Sequence, residues 1–410
     1  MMRRCAAVLA AVLALGASQA VLPADKAILI LISADGFRAD YLDRLKPPRL
    51  LQLAARGVRA DGLIPQFPAD TFPNHYTMAT GLTIPHHGIV ANDMTSPDIP
   101  GVVFAMSNRE AVGDARWWGG EPIWNTVERQ GRKAAPMFWP GSEAPIGGRR
   151  PSYWMPFNDR LPHADRIRQI LDWLALPEGS RPSFITLYFS DIDTAGHSHG
   201  PDAPQVAEAV ARVDASIGAL VDGVARAGLA DRVHYVVVSD HGMAALSTDR
   251  VIYLDDYLNP ESVDVIHWSP TLAINPKDGN VDAVYRALAG KHPHLSVYRN
   301  RDIPARLGLA GHPRVPAIYA LADEGWVVTS HQAAQRWNEP NRRPPGGAHG
   351  YDPELTVMRA LFVAAGPRIR EGVRVPPFKN IHIYDFMCAV LGLVPAKNDG
   401  DPAVTRDMLR

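Results

Sequence analysis

The sequence predicts an α/β fold, with a doubly wound, mostly parallel β-sheet flanked by helices and a small inserted α+β lobe. Three observations predict it. Short, continuously apolar runs recur along the chain, and such runs are typical of strands buried on both faces of a parallel sheet. Amphipathic helical patterns lie between these runs, and strands that alternate with helices indicate a doubly wound sheet. The segment from about residue 245 to 346 shows a different mixture of short patterns, which indicates the inserted lobe.

Four apolar runs are the predicted strands of the main sheet. They occupy residues 26–32, 183–189, 233–238 and 359–364. Helical spacing of apolar residues predicts helices at 45–56, 165–174 and 205–227. Within the lobe, strands are expected at 271–274, 295–298 and 318–321, and a helix near 281–288. Residues 21–410 are therefore expected to form a single domain that carries the lobe as an insertion.

The composition is that of a globular protein of enzyme size. The chain has 410 residues, 42 Lys plus Arg, 43 Asp plus Glu and a formal net charge of −1. Near-neutrality argues against a stable nucleic-acid partner, because such binding depends on clustered Lys and Arg. The chain contains 2 cysteines, which excludes a framework of several disulfides.

The first 20 residues have the layout of a secretory signal peptide. Arg3 and Arg4 form a positive head, residues 6–15 are apolar, and Ala20 ends a stretch of small residues suited to cleavage. The apolar run is shorter than the roughly 20 residues of a transmembrane helix, so no membrane span is expected in the mature chain. We expect export to the periplasm or the medium after cleavage near Ala20; a retained anchor is the alternative.

Acidic and histidine side chains follow three of the four predicted strands. In parallel sheets the carboxyl ends of the strands converge on one crevice where ligands bind. Mixed carboxylate and imidazole groups suit Zn²⁺ or a similar transition ion, and six such residues are more than one four-coordinate ion needs. A pair of ions is the simpler interpretation, although each pattern taken alone also fits a turn or a helix cap. The candidate ligands are Asp35, Asp193, His197, Asp240, His241 and His349.

A two-metal site of this kind stabilises the attacking and leaving oxygens in phosphoryl transfer, and it needs a nucleophile nearby. Thr71 is the candidate, because a helix that opened there would place its hydroxyl at the positive end of the helix dipole. An ordinary N-cap threonine is the alternative. Both interpretations stay open at the level of the residues. His75, His86 and His87 lie nearby in the chain and are expected to pack within helices or turns rather than to bind metal.

Several stretches together resemble the nucleotide pyrophosphatase/phosphodiesterase family of the alkaline phosphatase superfamily. They are AILILISADGFRADYL (27–42), FPADTFPNHYTMATGLTIPHHGIVANDM (67–94), YFSDIDTAGHSHGP (188–201), VVVSDHGM (236–243) and GAHGYDPE (347–354), and residues 138–158 and 379–400 look like the same family too. The resemblance implies an alkaline-phosphatase-like fold, a single catalytic phosphodiesterase domain over residues 21–410, and, with the leader, a secreted bacterial member.

The resemblance also implies the roles of individual residues. Two Zn²⁺ ions per chain are expected, and Thr71 would be the nucleophile that forms a covalent nucleotidyl intermediate. One zinc would be held by Asp35, Asp240, His241 and the Thr71 oxygen, and the other by Asp193, His197 and His349. Asn92 would donate its amide to a non-bridging phosphate oxygen. Phe72 and Tyr188 would form walls of a nucleobase slot, with Tyr153 or Trp154 on the far side.

The implied activity is zinc-dependent hydrolysis of phosphodiester and pyrophosphate bonds in nucleotides and their derivatives, with release of nucleoside 5′-monophosphate. Hydrolysis of lysophospholipids or glycerophosphodiesters is the alternative, because an acyl chain also packs against aromatic walls. A phosphomonoesterase is less favoured, because no arginine stands in a motif suited to a dianionic phosphate. A metal-binding protein without activity would be expected to have lost a ligand or the nucleophile.

Overall fold

The structure is a computed structural model, and it describes residues 24–339, 342 and 344–410. The predicted signal peptide therefore lies outside the described residues. Within them, no helix combines the length and the apolar character needed to cross a membrane.

Strands and helices alternate along most of the described chain. The strands are β1 Ile28–Ala34, β2 Gly57–Ala60, β3 Leu63–Ile64, β4 Met94–Thr95, β5 Val103–Phe104, β6 Ala134–Pro136, β7 Phe184–Phe189, β8 Val233–Val238, β9 Ala244–Ala245, β10 Val251–Tyr253, β11 Val263–His267, β12 Thr271–Pro276, β13 Leu295–Arg299, β14 Ile318–Ala322, β15 Val327–Thr329, β16 Gly347–Ala348, β17 Phe362–Ala365, β18 Val373–Val375 and β19 Phe378–Lys379. The α-helices are α1 Tyr41–Arg44, α2 Pro48–Ala55, α3 Thr71–Thr80, α4 Ile84–His87, α5 Arg109–Val112, α6 Ile123–Arg129, α7 His163–Ala175, α8 Asp191–His199, α9 Pro204–Arg226, α10 Val281–Leu288, α11 His331–Gln335 and α12 Ile383–Leu391.

The main sheet has seven strands in the order β18-β2-β17-β8-β1-β7-β6. The first predicted strand, β1, lies in the interior of the sheet and pairs in parallel with β7 and β8, which are two of the other predicted strands. The fourth predicted strand, β17, is present but runs antiparallel to both of its neighbours, β8 and β2. The chain enters β17 from the segment that carries His349, at the carboxyl edge of β8, so the strand has to run back across the sheet. The sheet is therefore mostly parallel, as predicted, with one reversed strand.

Alternation along β1 explains why helices cover both faces of this sheet. Leu29 and Leu31 point into one apolar core, and Ile28, Ile30 and Ile32 point into the other, because successive side chains of a strand face opposite sides. Helices α3, α6 and α12 contribute to the first core, and α2, α7 and α9 to the second. The continuous apolar run in the sequence thus corresponds to a strand buried on both faces.

The inserted lobe is built on a four-stranded antiparallel sheet in the order β11-β12-β14-β13. It has its own apolar core, to which α10 contributes Val284 and Leu288. Strands β9 and β16 pair with each other, so the chain leaves the main domain and returns to it at adjacent points. The predicted lobe strands and helix all lie within elements of the structure. The division into a leader and one catalytic domain remains a prediction.

Candidate active site and metal centre

The carboxyl ends of the central strands bring the predicted acidic residues together. Asp35 follows β1 directly, Asp193 lies in the first turn of α8, which begins two residues after β7, and Asp240 follows β8 after one serine. Parallel strands end at the same edge of a sheet, so these three carboxylates meet at one crevice. All six predicted ligands fall into two groups there: Asp35, Asp240 and His241; and Asp193, His197 and His349.

The first group is fully buried. The Nε2 atom of His241 lies 3.5 Å from Asp35 Oδ1 and 3.1 Å from Asp240 Oδ2. Its Nδ1 donates a hydrogen bond to the carbonyl of Gly242 at 2.9 Å. That bond fixes the tautomer and leaves the Nε2 lone pair facing the two carboxylates, as in metal-ligating histidines.

The second group repeats this arrangement. The Nε2 atoms of His197 and His349 lie 3.4 Å and 3.8 Å from Asp193 Oδ1. The Nδ1 atoms donate to backbone carbonyls, that of His197 to Gly347 at 3.0 Å and that of His349 to Ala69 at 2.9 Å. Three histidines of the site are therefore oriented by main-chain acceptors, each with Nε2 turned towards a carboxylate.

In each of the three aspartates of the site, one carboxylate oxygen is available to bind a cation. Asp35 Oδ1, Asp193 Oδ1 and Asp240 Oδ2 are buried and have no hydrogen-bond partner among the described residues. Burying an unpaired carboxylate oxygen is costly unless a cation or a donor compensates it. These are also the oxygens nearest to the imidazole Nε2 atoms. Oxygen and nitrogen donors in this combination suit Zn²⁺ or a related divalent ion, so the residues present fit two cations.

The pKa values of the site residues also indicate a site suited to cations. Burial, together with repulsion from Asp240 and Asp193, raises the pKa of Asp35 well above its usual range. Burial also opposes ionisation of Asp240, but the neighbouring His241 and His75 hold the pKa of that carboxyl below its usual range. Burial alone would lower the pKa of His349, yet the neighbouring Asp70 carboxylate and the charge of Asp193 raise it to about 9. Several buried carboxylates therefore compete for positive charge in the absence of a cation.

Thr71 opens helix α3 and is 8 % exposed. The N-cap of this helix is Asp70, whose backbone is extended, so Thr71 is not the N-cap threonine of the alternative interpretation. Its Oγ1 lies 3.4 Å from Nε2 of His241. The hydroxyl thus stands beside the first group at the end of the helix where the backbone N–H groups favour negative charge.

Asp70 and His75 are buried residues that the sequence interpretation did not place in the site. Asp70 Oδ1 lies 3.5 Å from Nδ1 of His349, which makes it a carboxylate that orients a candidate ligand. His75 donates from Nδ1 to the Thr71 carbonyl at 2.8 Å and contacts Ser33 Oγ through Nε2 at 2.8 Å. His75 lies within the helix, as expected, but it also supports the residue that carries the nucleophilic hydroxyl. In the sequence, the signal that could have placed them in the site was proximity to Thr71: Asp70 directly precedes it, and His75 follows it by one helical turn.

Asn92 lies at the start of α3 in space. Its Oδ1 accepts a hydrogen bond from the Phe72 backbone N–H at 2.8 Å. Because this bond occupies the carbonyl end of the amide, the Nδ2 amino group is the end left to donate. The side chain is 8 % exposed, so that donor is held in a nearly closed environment.

An aromatic cavity adjoins Thr71. Phe72 and Tyr188, the residues predicted to form walls of a nucleobase slot, both line it. The Tyr188 hydroxyl donates to Asp35 Oδ2 at 2.6 Å, which connects this wall to the first group. Phe138 also lines it and has a left-handed backbone with φ of 61°, a strained conformation that concentrates at functional sites. We call this cavity the aromatic slot. Its lining is Thr71, Phe72, Met106, Arg109, Val112, Phe138, Trp139, Pro140, Gly141, Glu143, Phe157 and Tyr188.

Tyr153 and Trp154, the residues predicted for the far wall of a nucleobase slot, are not among the residues that line the aromatic slot. Tyr153 packs against Trp173 with ring centroids 6.3 Å apart, and its hydroxyl donates to the Ser180 carbonyl. Trp154 lies under the guanidinium of Arg150 at 4.6 Å. Phe157, a few residues further along, does line the slot, and its ring centroid lies 6.0 Å from that of Tyr188.

Comparison with known proteins identifies the family. The family model described as type I phosphodiesterase/nucleotide pyrophosphatase matches residues 29–352, a range that contains all six candidate ligands and Thr71. The chain belongs to this family, and so to the alkaline phosphatase superfamily.

Named relatives agree with this assignment. A venom phosphodiesterase of Naja atra is 36 % identical over 398 residues, which are 94 % of this chain and 47 % of the relative. Family member 5 of the human ectonucleotide pyrophosphatases/phosphodiesterases is 34 % identical over 385 residues, 94 % of this chain and 78 % of the relative. The chain thus spans about half the length of the venom enzymes.

Solved structures share the fold. Murine ectonucleotide pyrophosphatase/phosphodiesterase 5, as an inactive threonine-to-alanine variant in complex with AMP, superposes with a TM-score of 0.87 at 34 % identity, covering 94 % of this chain and all of the other. The alkaline-phosphatase-like α/β fold predicted from the sequence is therefore confirmed.

Proposed function

We propose that this protein is a hydrolase that cleaves phosphodiester and pyrophosphate bonds in nucleotides and releases nucleoside 5′-monophosphates. The observation that carries the proposal is the position of Thr71. Its hydroxyl lies 3.4 Å from His241 Nε2, and the same residue lines the aromatic slot. A substrate whose base occupied the slot would present its phosphorus to this hydroxyl.

Two divalent cations, proposed to be Zn²⁺, fit the site. One would be held by Asp35, Asp240, His241 and the Thr71 oxygen, and the other by Asp193, His197 and His349. When bound, they would supply positive charge that favours loss of the Thr71 proton and offsets the charge of the phosphate and the leaving oxygen.

The side chains of the site have separate roles in the proposed reaction. Thr71 Oγ1 attacks the phosphorus in line, the bond to the leaving oxygen breaks, and the nucleotidyl group is carried as an ester of Thr71. Water then cleaves that ester, which releases the monophosphate and restores the threonine hydroxyl. Asn92 Nδ2 donates to a non-bridging oxygen as charge develops there. Phe72 and Tyr188 hold the base. The hydrogen bond from Tyr188 to Asp35 fixes the position of this wall relative to the first group of candidate metal ligands.

The relatives support this proposal in two respects. The structural neighbour binds AMP, and its threonine-to-alanine variant is described as inactive. The curated relatives carry the names phosphodiesterase and nucleotide pyrophosphatase.

Hydrolysis of a glycerophosphodiester or lysophospholipid is the second candidate. The specific observation in its favour is the apolar lining of the slot, which contains Met106, Val112 and Pro140 besides the aromatic rings. An acyl chain would bury its surface there through the hydrophobic effect.

A substrate panel on the purified protein tests the proposal. Dinucleotides, nucleoside triphosphates, cyclic nucleotides, nucleotide sugars and glycerophosphodiesters are compared, each with and without a chelator. Bis(p-nitrophenyl) phosphate against p-nitrophenyl phosphate separates diesterase from monoesterase activity. Nucleotides are expected to be cleaved fastest; a glycerophosphodiester at the top of the panel would favour the second candidate.

Substitution of the nucleophile tests the covalent step. Thr71→Ala is expected to lose at least about 1,000-fold in kcat, in line with the removal of a covalent nucleophile, while metal content persists. Thr71→Ser is the matched control and retains part of the activity because it keeps a hydroxyl. Near-normal turnover by Thr71→Ala would contradict the scheme.

We also propose that the chain is exported, on the basis of residues 1–20 alone. N-terminal sequencing of the protein recovered outside the cytoplasm should find a terminus near residue 21. Recovery only in the cytoplasm, with Met1 retained, would contradict export.

A further inference from the structure

An ion pair closes one side of the aromatic slot. Arg109, at the start of α5, and Glu143 both line the slot, and the Arg109 Nη2 group is paired with Glu143 Oε1. The same Oε1 accepts a hydrogen bond from the backbone N–H of Phe157 at 3.1 Å. The Glu143 side chain is 16 % exposed. One carboxylate oxygen therefore joins two separate walls of the slot.

The two oxygens of Glu143 differ in what they have left to bind. Oε1 accepts from both Arg109 and Phe157, whereas Oε2 accepts no hydrogen bond from the described residues. An ionised carboxylate has no proton to donate. A ligand group that meets Oε2 must therefore be a donor, such as the exocyclic amino group of a nucleobase.

The ion pair also disfavours the other occupants of an aromatic cavity. An acyl chain would remove water from Arg109 and Glu143 without offering them a hydrogen bond, which is unfavourable. A quaternary ammonium group is attracted to aromatic faces, but the positive charge of Arg109 beside the carboxylate offsets the attraction that Glu143 alone would provide. A flat ring with a polar edge satisfies both the aromatic walls and the pair.

We propose that Glu143, held in place by Arg109, is a specificity residue that reads the edge of the nucleobase. It accepts a hydrogen bond from the exocyclic amino group of adenine, cytosine or guanine, and it selects against thymine and uracil, which have none. This inference rests on the proposed function. Hydrogen bonds to charged groups are stronger than those between neutral groups, and the partial exposure of Glu143 limits the expected discrimination to about tenfold.

The test compares the p-nitrophenyl 5′-esters of adenosine and thymidine monophosphate. Wild-type kcat/KM is expected to favour the adenosine ester about tenfold, mostly through KM. Glu143→Gln is expected to abolish or reverse this preference, because its single oxygen stays with Phe157 and Arg109 and its amino group faces the base. Arg109→Met, which frees the carboxylate from its partner, is expected to weaken the preference. Glu178→Gln is the matched control, since Glu178 pairs with Arg232 at the opposite edge of the sheet.

Binding gives a second measurement without turnover. In the Thr71→Ala background, AMP is expected to bind about tenfold more tightly than TMP, and addition of Glu143→Gln is expected to remove the difference.

Bis(p-nitrophenyl) phosphate, which has no base, distinguishes a loss of base selectivity from a loss of diesterase activity. If the wild type cleaves this diester but has equal kcat/KM for the adenosine and thymidine esters, the role of Glu143 is overturned and the proposed function stands. A Glu143→Gln variant that loses the same factor on all three substrates would assign Glu143 a purely structural role. Failure of the wild type on every diester would overturn the proposed function as well.

Discussion

The imidazole rings of His241 and His349 stack face to face, with centroids 3.6 Å apart and an angle of 12° between their planes. Each ring belongs to a different candidate metal group, and each comes from a different segment, one after β8 and the other after β16. The two groups are therefore in direct contact through these two rings. A change in either ring alters the packing of the other, so the two groups are expected to bind metal in a coupled manner.

His349→Ala should reveal this coupling. We expect the variant to lose the cation of the second group and to hold the other at least about tenfold more weakly, because the face that packs against His241 is removed. Metal content after dialysis against a graded chelator, measured by mass spectrometry, checks this. His86→Ala is the control, because His86 is exposed and pairs with Asp399 outside both groups. Two cations retained with unchanged affinity in His349→Ala would contradict the assignment of this ligand.

Gly36, at the end of β1, lies close against Asp193 of the second group. Its φ is +69°, and a Cβ added there would lie 2.8 Å from the Asp193 Cα and 2.9 Å from its Cβ. Gly36→Ala is therefore expected to push α8 away from the end of β1, separating Asp193 from Asp35, and to lower metal affinity by tenfold or more.

Gly101→Ala is the matched control for this effect. Gly101 has a φ of +76° and nothing within 4 Å of an added Cβ, so it shares the backbone strain of about 1–2 kcal/mol without the collision. Both variants should lose thermal stability, whereas only Gly36→Ala should lose metal and diesterase activity. Equal effects of the two variants on metal affinity would show that strain alone is responsible.

Asp70 is expected to act as a positioning residue through His349. Asp70→Asn keeps the shape of the side chain but removes the charge that faces the imidazole Nδ1, and loss of such an orienting carboxylate commonly weakens metal binding by 10–100-fold. Competition with a chromophoric chelator measures the affinity. Asp114→Asn, which breaks a surface pair with Arg116, should leave it unchanged. An Asp70→Asn variant that folds and binds both cations normally would exclude this role.

The sequence was sufficient for the parts of the site that depend on strand ends. Asp35 and Asp240 stand at the ends of apolar runs, and Asp193 and His197 are four residues apart in one helix. Local pattern and the geometry of parallel strands were therefore enough to group them. His349 was also a candidate ligand, but only the family resemblance assigned it to the group of Asp193 and His197, because it lies beyond the inserted lobe and no local pattern connects it to a strand end.

The remaining differences arise where the path of the chain through space decides the contact. Asp70 meets His349 across 279 positions of sequence, and β17 is reversed because the chain returns from the lobe at the carboxyl edge. Phe157 lines the slot in place of Tyr153 or Trp154 because a backbone hydrogen bond to Glu143 holds it there. Residue type alone did not distinguish three aromatic residues within five positions.

His234 provides a pH test of the main sheet that is independent of the metal centre. It lies in β8, fully buried, and its Nδ1 donates to the Ile28 carbonyl while its Nε2 accepts from the Arg368 backbone N–H, both at 3.1 Å. Burial lowers its pKa to about 4, so the folded protein keeps this imidazole neutral, whereas the unfolded chain takes up a proton below a pKa of about 6.5. Stability should therefore fall as the pH drops from about 6.5 to 4, and this contribution should not change further below 4.

One pKa unit corresponds to about 1.4 kcal/mol, so this histidine can account for at most about 3.5 kcal/mol of lost stability across that interval. Chelator-treated wild type and His234→Gln are compared by urea unfolding at pH 7, 6, 5 and 4. The variant is less stable at pH 7 because it loses the paired hydrogen bonds, and its deficit should shrink steadily towards pH 4, since it lacks the proton that the unfolded wild type binds. His86→Gln, which alters an exposed histidine, should run parallel to the wild type. A His234→Gln deficit that stays constant from pH 7 to 4 would show that the buried imidazole is not kept neutral by the fold.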